Sequence, residues 1–182
     1  MAKKVLVPIA DGTEEIETVC IIDTLRRAGA EVTTASVSGR LQITASRGVK
    51  IVADVLIAEC SDKTYDLVVL PGGMPGATHL RDSRELVEIL KHQQQQGRLY
   101  GAICASPAVV LEHHGLIGTR KAACYPSFAK ELRNPADLQV VVDGTLVTSQ
   151  GPGTAIEFAL KLVELLFDKA KAAEIAKVML VR

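Results

Sequence analysis

Leu99-Tyr100-Gly101-Ala102-Ile103-Cys104-Ala105-Ser106-Pro107 is the stretch on which the reading of this chain turns. Leu99–Ile103 has the length and composition of a buried strand, and Pro107 stands where the first turn of a helix tolerates proline. Between them one cysteine sits among small residues, Ala102, Ala105 and Ser106. A nucleophile elbow makes this demand, because its reactive residue lies on a tight, strained turn from strand to helix and only small neighbours fit around it. A cysteine so placed lies near a helix N-terminus, whose N–H groups and dipole favour the thiolate. Cysteine is more often a small buried hydrophobe, but position, neighbours and helix start together favour a reactive Cys104.

Outward from that stretch, strand-like runs alternate with helical periods. Lys4–Ile9 reads as a buried strand that leads through Ala10-Asp11-Gly12-Thr13 into a helix from about Glu14 to Ala28, stopped by Gly29. Glu31–Val37 is a second strand, rich in β-branched residues. Two short alternating segments between Gly39 and Ala53 predict a hairpin turning at Ser46-Arg47-Gly48. Leu67–Leu70 is a wholly apolar strand ended by Pro71-Gly72-Gly73. Ser83 to about Gln96 is helical, and Gln93–Gln96 reads as its solvated end. Asp143-Gly144 signals a two-residue hairpin between Val140–Val142 and Leu146–Ser149. Gln150–Gly153 opens a helix over Thr154–Phe167, and a last helix starts near Ala170. Such alternation predicts an α/β fold, a doubly wound and mainly parallel sheet with helices on both faces, in one domain over residues 1–182.

Composition narrows the function classes. Lys plus Arg and Asp plus Glu each total 21 in 182 residues, so the formal charge is zero. That balance argues against a general nucleic-acid or anionic-membrane surface. The apolar run Val5–Ala10 is short and broken by Pro8, which is unlike a signal peptide, and no stretch approaches a membrane span; the expected location is the cytoplasm. The four cysteines, Cys20, Cys60, Cys104 and Cys124, have neither C-x-x-C nor zinc spacing and are expected to be free thiols. No metal or cofactor motif is present.

Sites in open parallel sheets form at the carboxyl ends of strands, and three segments fall there: Asp11–Glu17, Pro71–Gly73 and Ile103–Ser106. Glu14 and Glu15 read as acidic residues complementing a helix dipole. Glu17 shares a helical stripe with Cys20, Ile21, Thr24 and Ala28 and so borders the buried face. A half-buried carboxyl there would titrate high and could donate to a thiolate or shuttle a proton, although a capping role is as good a reading from the residues alone. A lone Gly-Gly is usually just a turn; beside a thiol, the N–H groups of Gly73 and Ala105 could form an oxyanion hole. His79, His92, His113 and His114 look peripheral and none follows position 114, which removes a late-chain histidine for a Cys-His-Glu triad.

With these residues in view the chain resembles the ThiJ/PfpI superfamily, on the branch of the Parkinson-linked protein deglycase and bacterial YajL. The likeness runs over nearly the whole chain, through Glu14-Glu15-Ile16-Glu17-Thr18-Val19, Arg26-Arg27-Ala28-Gly29, Ser46-Arg47-Gly48, Val69-Leu70-Pro71-Gly72-Gly73, Ala102-Ile103-Cys104-Ala105 and Thr148–Thr154. It implies a flavodoxin-like sandwich and a homodimer. It also implies a nucleophile at Cys104, a protonated partner at Glu17, oxyanion donors at Gly73 and Ala105, and Gly72, Arg27 and Arg47 near the cleft or interface. Surface salt bridges would serve the two arginines nearly as well. Two departures stand out. Tyr125 occupies the place of a histidine near the thiol, and Ala105 follows the cysteine where the peptidase branch has histidine. The implied activity is that of a glutathione-independent glyoxalase or deglycase on 2-oxoaldehydes such as methylglyoxal, or on their adducts. The alternative is a redox-sensing chaperone whose Cys104 oxidises to sulfinate without turnover.

Overall fold

The computed structural model describes residues 2–181. Strands β1 (Lys4–Ile9), β2 (Glu31–Ser36), β5 (Val55–Leu56), β6 (Leu67–Leu70), β7 (Leu99–Ile103), β8 (Val140–Asp143) and β9 (Leu146–Ser149) form one sheet in the order β5-β2-β1-β6-β7-β9-β8. All of its neighbours are parallel except β8 and β9. The expected α/β class and mainly parallel sheet are therefore what is found. Between β2 and β5 the chain makes a separate antiparallel hairpin, β3 (Gln42–Thr44) with β4 (Lys50–Val52), and Gly48 at its tip has φ 90°.

Period-two alternation in β1 assigns the layers. Val5, Val7 and Ile9 face Ile21 and Leu25 of α1 (Glu15–Arg27) together with Phe158 and Leu162 of α4 (Ala155–Leu166). Leu6 faces the opposite layer, with Leu80 of α2 (Gly76–Asp82) and Leu86 and Leu90 of α3 (Arg84–Gln95). The last helix, α5 (Lys169–Val178), packs against α4. No helix among the described residues is long and apolar enough to cross a membrane.

Three local expectations change. The β8–β9 turn is centred on Gly144 and Thr145, one residue later than Asp143-Gly144, because Asp143 pairs with Leu146; Gly144 supplies the positive φ of 61°. The glutamine run is only half solvated. Gln93 is buried, and its Nε2 donates to the carbonyls of Tyr65 and Leu99, while that of Gln94 donates to the carbonyl of Leu116. Helix α2 and strand β5 are additions. Both are too short, and too dependent on tertiary contacts, for a periodic pattern to reveal them.

Candidate active site

Strand β7 delivers Cys104 onto a sharp turn, where it has φ 64°, a left-handed conformation that a non-glycine residue rarely adopts. The strain is held from both sides. The Cys104 N–H donates to the Ser149 carbonyl at 3.0 Å, and the Cys104 carbonyl accepts the Tyr125 N–H at 2.8 Å. Gly72 lies directly against it: a Cβ at position 72 would stand 2.5 Å from the Cβ of Cys104, so no other residue fits. The loops after β1 and β6 interlock beside this turn, since a Cβ on Gly73 would meet the Glu14 nitrogen at 2.4 Å.

Glu17 enters from the first turn of α1, where the Glu14 carboxylate caps the helix by accepting from the Glu17 N–H at 2.8 Å. The Glu17 side chain is fully buried, more deeply than its helical stripe suggested. Its Oε2 accepts the Gly72 N–H at 2.7 Å. Its Oε1 is buried without a nitrogen or oxygen partner, and the carboxyl turns to the Cys104 sulfur. The N–H groups of Gly73 and Ala105 also point at that sulfur. Thus Glu17, Gly72, Gly73, Cys104 and Ala105, drawn from three separate segments, meet at one point.

Burial drives the Glu17 carboxyl up to about 7, against the pull of Gly72 and Cys104 and with help from the Glu14 charge. Burial also pushes the Cys104 thiol up to about 12; the Glu17 carboxylate and its hydrogen bond add to the rise, and the Gly73 and Ala105 N–H groups oppose it. The thiolate expected from a helix N-terminus is therefore opposed by burial and by the Glu17 charge. The segment that follows, Pro107–Glu112, is a short π-helix, and loop N–H groups are what reach the sulfur. The two titrations belong to the pair. While Glu17 is a carboxylate the thiol keeps its proton. Once Glu17 is protonated the repulsion disappears and its O–H can donate to sulfur, so a thiolate at Cys104 goes with a neutral Glu17. The other thiols lack these donors: burial raises Cys20, which Glu14, Asp23 and Glu17 raise further, and it pushes Cys124 up to about 11 with the Glu131 charge behind it.

The remaining candidates lie at different distances from this point. Arg27 is ion-paired with Asp23 on the exposed face of α1, roughly 15 Å along the helix from Glu17 at 1.5 Å per residue, so within one chain it stays away from the thiol. Arg47 is exposed, but its backbone N–H is bound by Glu15 at 2.8 Å, which ties the hairpin tip to the start of α1. The Tyr125 backbone grips Cys104, whereas its ring lies over Gly151 in a residue that is 45% exposed.

The profile of the DJ-1/PfpI family matches residues 3–165. The chain belongs to the DJ-1/PfpI family. It is 48% identical to Protein DJ-1 homolog B of Arabidopsis thaliana over 98% of its own length, although it spans only 41% of that longer protein. It is 37% identical over 95% of its length to a Caenorhabditis elegans protein named glutathione-independent glyoxalase DJR-1.2, of which it covers 92%. Among solved structures, oxidized Toxoplasma gondii DJ-1 superposes with a TM-score of 0.97 at 52% identity, with 98% of each chain covered.

Two residues of this DJ-1/PfpI site escaped the sequence reading. Glu15 does more than complement a dipole: it accepts from the Ser46 hydroxyl and the Arg47 N–H, and against burial its own backbone N–H together with these two donors holds its carboxyl below the usual range. Ser106, read only as a small neighbour, is fully buried and donates to the Pro71 carbonyl at 2.6 Å. A polar residue at an otherwise apolar elbow was the available signal.

Proposed function

We propose that this protein is a cysteine-dependent, glutathione-independent glyoxalase and deglycase of the cytoplasm, acting on 2-oxoaldehydes such as methylglyoxal or on their adducts. One observation carries the reading: a strained Cys104 lies beside a fully buried Glu17 carboxyl whose Oε1 has no nitrogen or oxygen partner, with the Gly73 and Ala105 N–H groups at the same point. The glyoxalase name of the Caenorhabditis elegans relative supports it.

In the reaction Glu17 takes the thiol proton as sulfur adds to the aldehyde carbon, and the developing alkoxide lies toward the Gly73 and Ala105 N–H groups. Glu17 returns that proton to the oxygen, which completes the hemithioacetal. Glu17 then carries the hydrogen of the former aldehyde carbon, as a proton, to the adjacent ketone carbon while the hydroxyl proton passes to the former ketone oxygen, which leaves a thioester of a 2-hydroxy acid. Water cleaves the thioester, releasing lactate from methylglyoxal and restoring the thiol. From a glycated substrate the free amine leaves as well. No metal or cofactor takes part in any step.

The second reading, a redox-sensing chaperone, draws on the same donors, because a Cys104 sulfinate would carry its charge toward Glu17, Gly73 and Ala105. The oxidized state named for the Toxoplasma gondii structure favours keeping it. Lactate formation by the purified protein decides between them. The enzymatic reading requires turnover that Cys104→Ser abolishes, and a rate no higher than that of the serine variant would reject it.

A further inference from the structure

The peptide unit between Pro71 and Gly72 is held at both of its polar ends. Its carbonyl accepts the Ser106 hydroxyl at 2.6 Å, and its N–H donates to Glu17 Oε2 at 2.7 Å. In a trans peptide these groups point in opposite directions from one rigid plane, so each bond fixes the orientation of the other. Gly72 is wedged against the Cβ of Cys104, and Glu17 reaches the Cys104 sulfur. A closed circuit results, from Cys104 through Ser106, the Pro71–Gly72 peptide and Glu17 back to Cys104.

We propose that Ser106 is a positioning residue that sets the orientation and proton affinity of Glu17 through the Pro71–Gly72 peptide. The inference rests on the reading of Glu17 and Cys104 as a proton-sharing pair. A hydrogen bond accepted at the carbonyl polarises the amide, so its N–H becomes a stronger donor. A stronger donor stabilises the Glu17 carboxylate and offsets part of the effect of burial. Without the hydroxyl, the buried Pro71 carbonyl loses its partner, the plane is free to tilt and the N–H bond weakens, so Glu17 holds its proton to higher pH. The ionisable groups facing Glu17 are Cys104 from the elbow and Glu14 and Cys20 from its own helix. Glu15 is turned away toward Ser46 and Arg47. The Ser106 hydroxyl bonds to the Pro71 carbonyl and to none of these side chains.

The test is the pH dependence of Cys104 alkylation by iodoacetamide, followed by peptide mapping on the full chain. Because a thiolate at Cys104 goes with a neutral Glu17, Ser106→Ala is expected to lower the midpoint by about half a unit to one unit, which is a three- to tenfold change in proton binding. Ser106→Thr retains the hydroxyl and is expected to keep the wild-type midpoint. In a Glu17→Gln background, adding Ser106→Ala should move the midpoint no further. An unchanged midpoint in Ser106→Ala, or an equal shift with and without Glu17, overturns the proposal. Should the alanine variant not fold, threonine decides alone: a folded Ser106→Thr protein with a wild-type midpoint supports the proposal, and one with a displaced midpoint sinks it. Alkylation does not involve methylglyoxal. A protein that shows these shifts but forms no lactate therefore keeps this inference and loses the glyoxalase reading.

Discussion

A single buried carboxyl sets how Cys104 behaves. Glu17 is raised from 4.5 to about 7, so the folded state binds its proton more tightly than the unfolded chain does. Its contribution to stability is complete below pH 4.5 and is lost as pH rises through about 7, a change of roughly 3 kcal/mol at most. Glu17→Gln has nothing to titrate there. Urea unfolding at pH 5 and pH 8 should show a loss in the wild type that the variant lacks; parallel behaviour would contradict the assignment. The same substitution keeps a donor toward sulfur but cannot move a proton, so lactate formation should fall by about 10²–10⁴-fold. Tyr125→Phe should cost much less, since the Tyr125 backbone is what grips Cys104. Cys104 and Glu17 were legible because an elbow needs small neighbours and a helix has a period. Ser106 and Glu15 were not, because a short side chain bonded to a loop some thirty residues away or more leaves no periodic trace.

At the scale of elements, the site depends on two loops that touch through their backbones. Gly73 has φ 90°, and a Cβ there would stand 2.4 Å from the Glu14 nitrogen; one on Gly76 would meet the Thr13 nitrogen at the same distance. Gly76→Ala lacks the conformational penalty but still forces the loops apart, with a cost of about 1–3 kcal/mol typical of overpacking. Since α1 starts there, the change should also displace Glu17 and lower Cys104 alkylation at neutral pH. A variant with unchanged stability and alkylation would show that the contact is soft. Helix α3 gives a second case. Gln93→Leu removes the partner of two carbonyls, Tyr65 and Leu99, and should cost about 1–3 kcal/mol in urea unfolding, whereas Gln96→Leu at the exposed helix end should cost little. The helix itself was readable from its apolar period, but the staple was not. Glutamine at a helix end signals solvent in most sequences.

For the whole molecule, the parallel sheet followed from strand–helix alternation, because wholly apolar strands such as Leu67–Leu70 need cover on both faces. The hairpin lies outside the sheet, and its relation to α1 could not be read from any period. It leaves apolar side chains open: Ile16 and Val19 on α1 are each 53% exposed, and Val49 and Val52 on the hairpin are 49% and 63% exposed. Glu15 holds the hairpin tip to α1, so these exposed apolar side chains belong to two elements tied together beside the site. We propose that a second copy of this chain covers it. Light scattering at micromolar concentration should give twice the 19.4 kDa chain mass, and Ile16→Glu should shift that mass toward the monomer. A wild-type monomer would reject the pairing.

The pinning of Cys104 by Ser149 has a consequence in time. Strand β7 pairs with β9, which the chain supplies only after more than forty further residues, and the carbonyl that holds the elbow comes with it. Non-local parallel pairing of this kind forms late and slowly. As the chain emerges from the ribosome, Cys104 is therefore an ordinary flexible thiol long before it becomes a strained one. The strained, donor-lined setting of Cys104 appears only when the last strand docks, and until then its thiol lacks the burial that raises it in the folded protein.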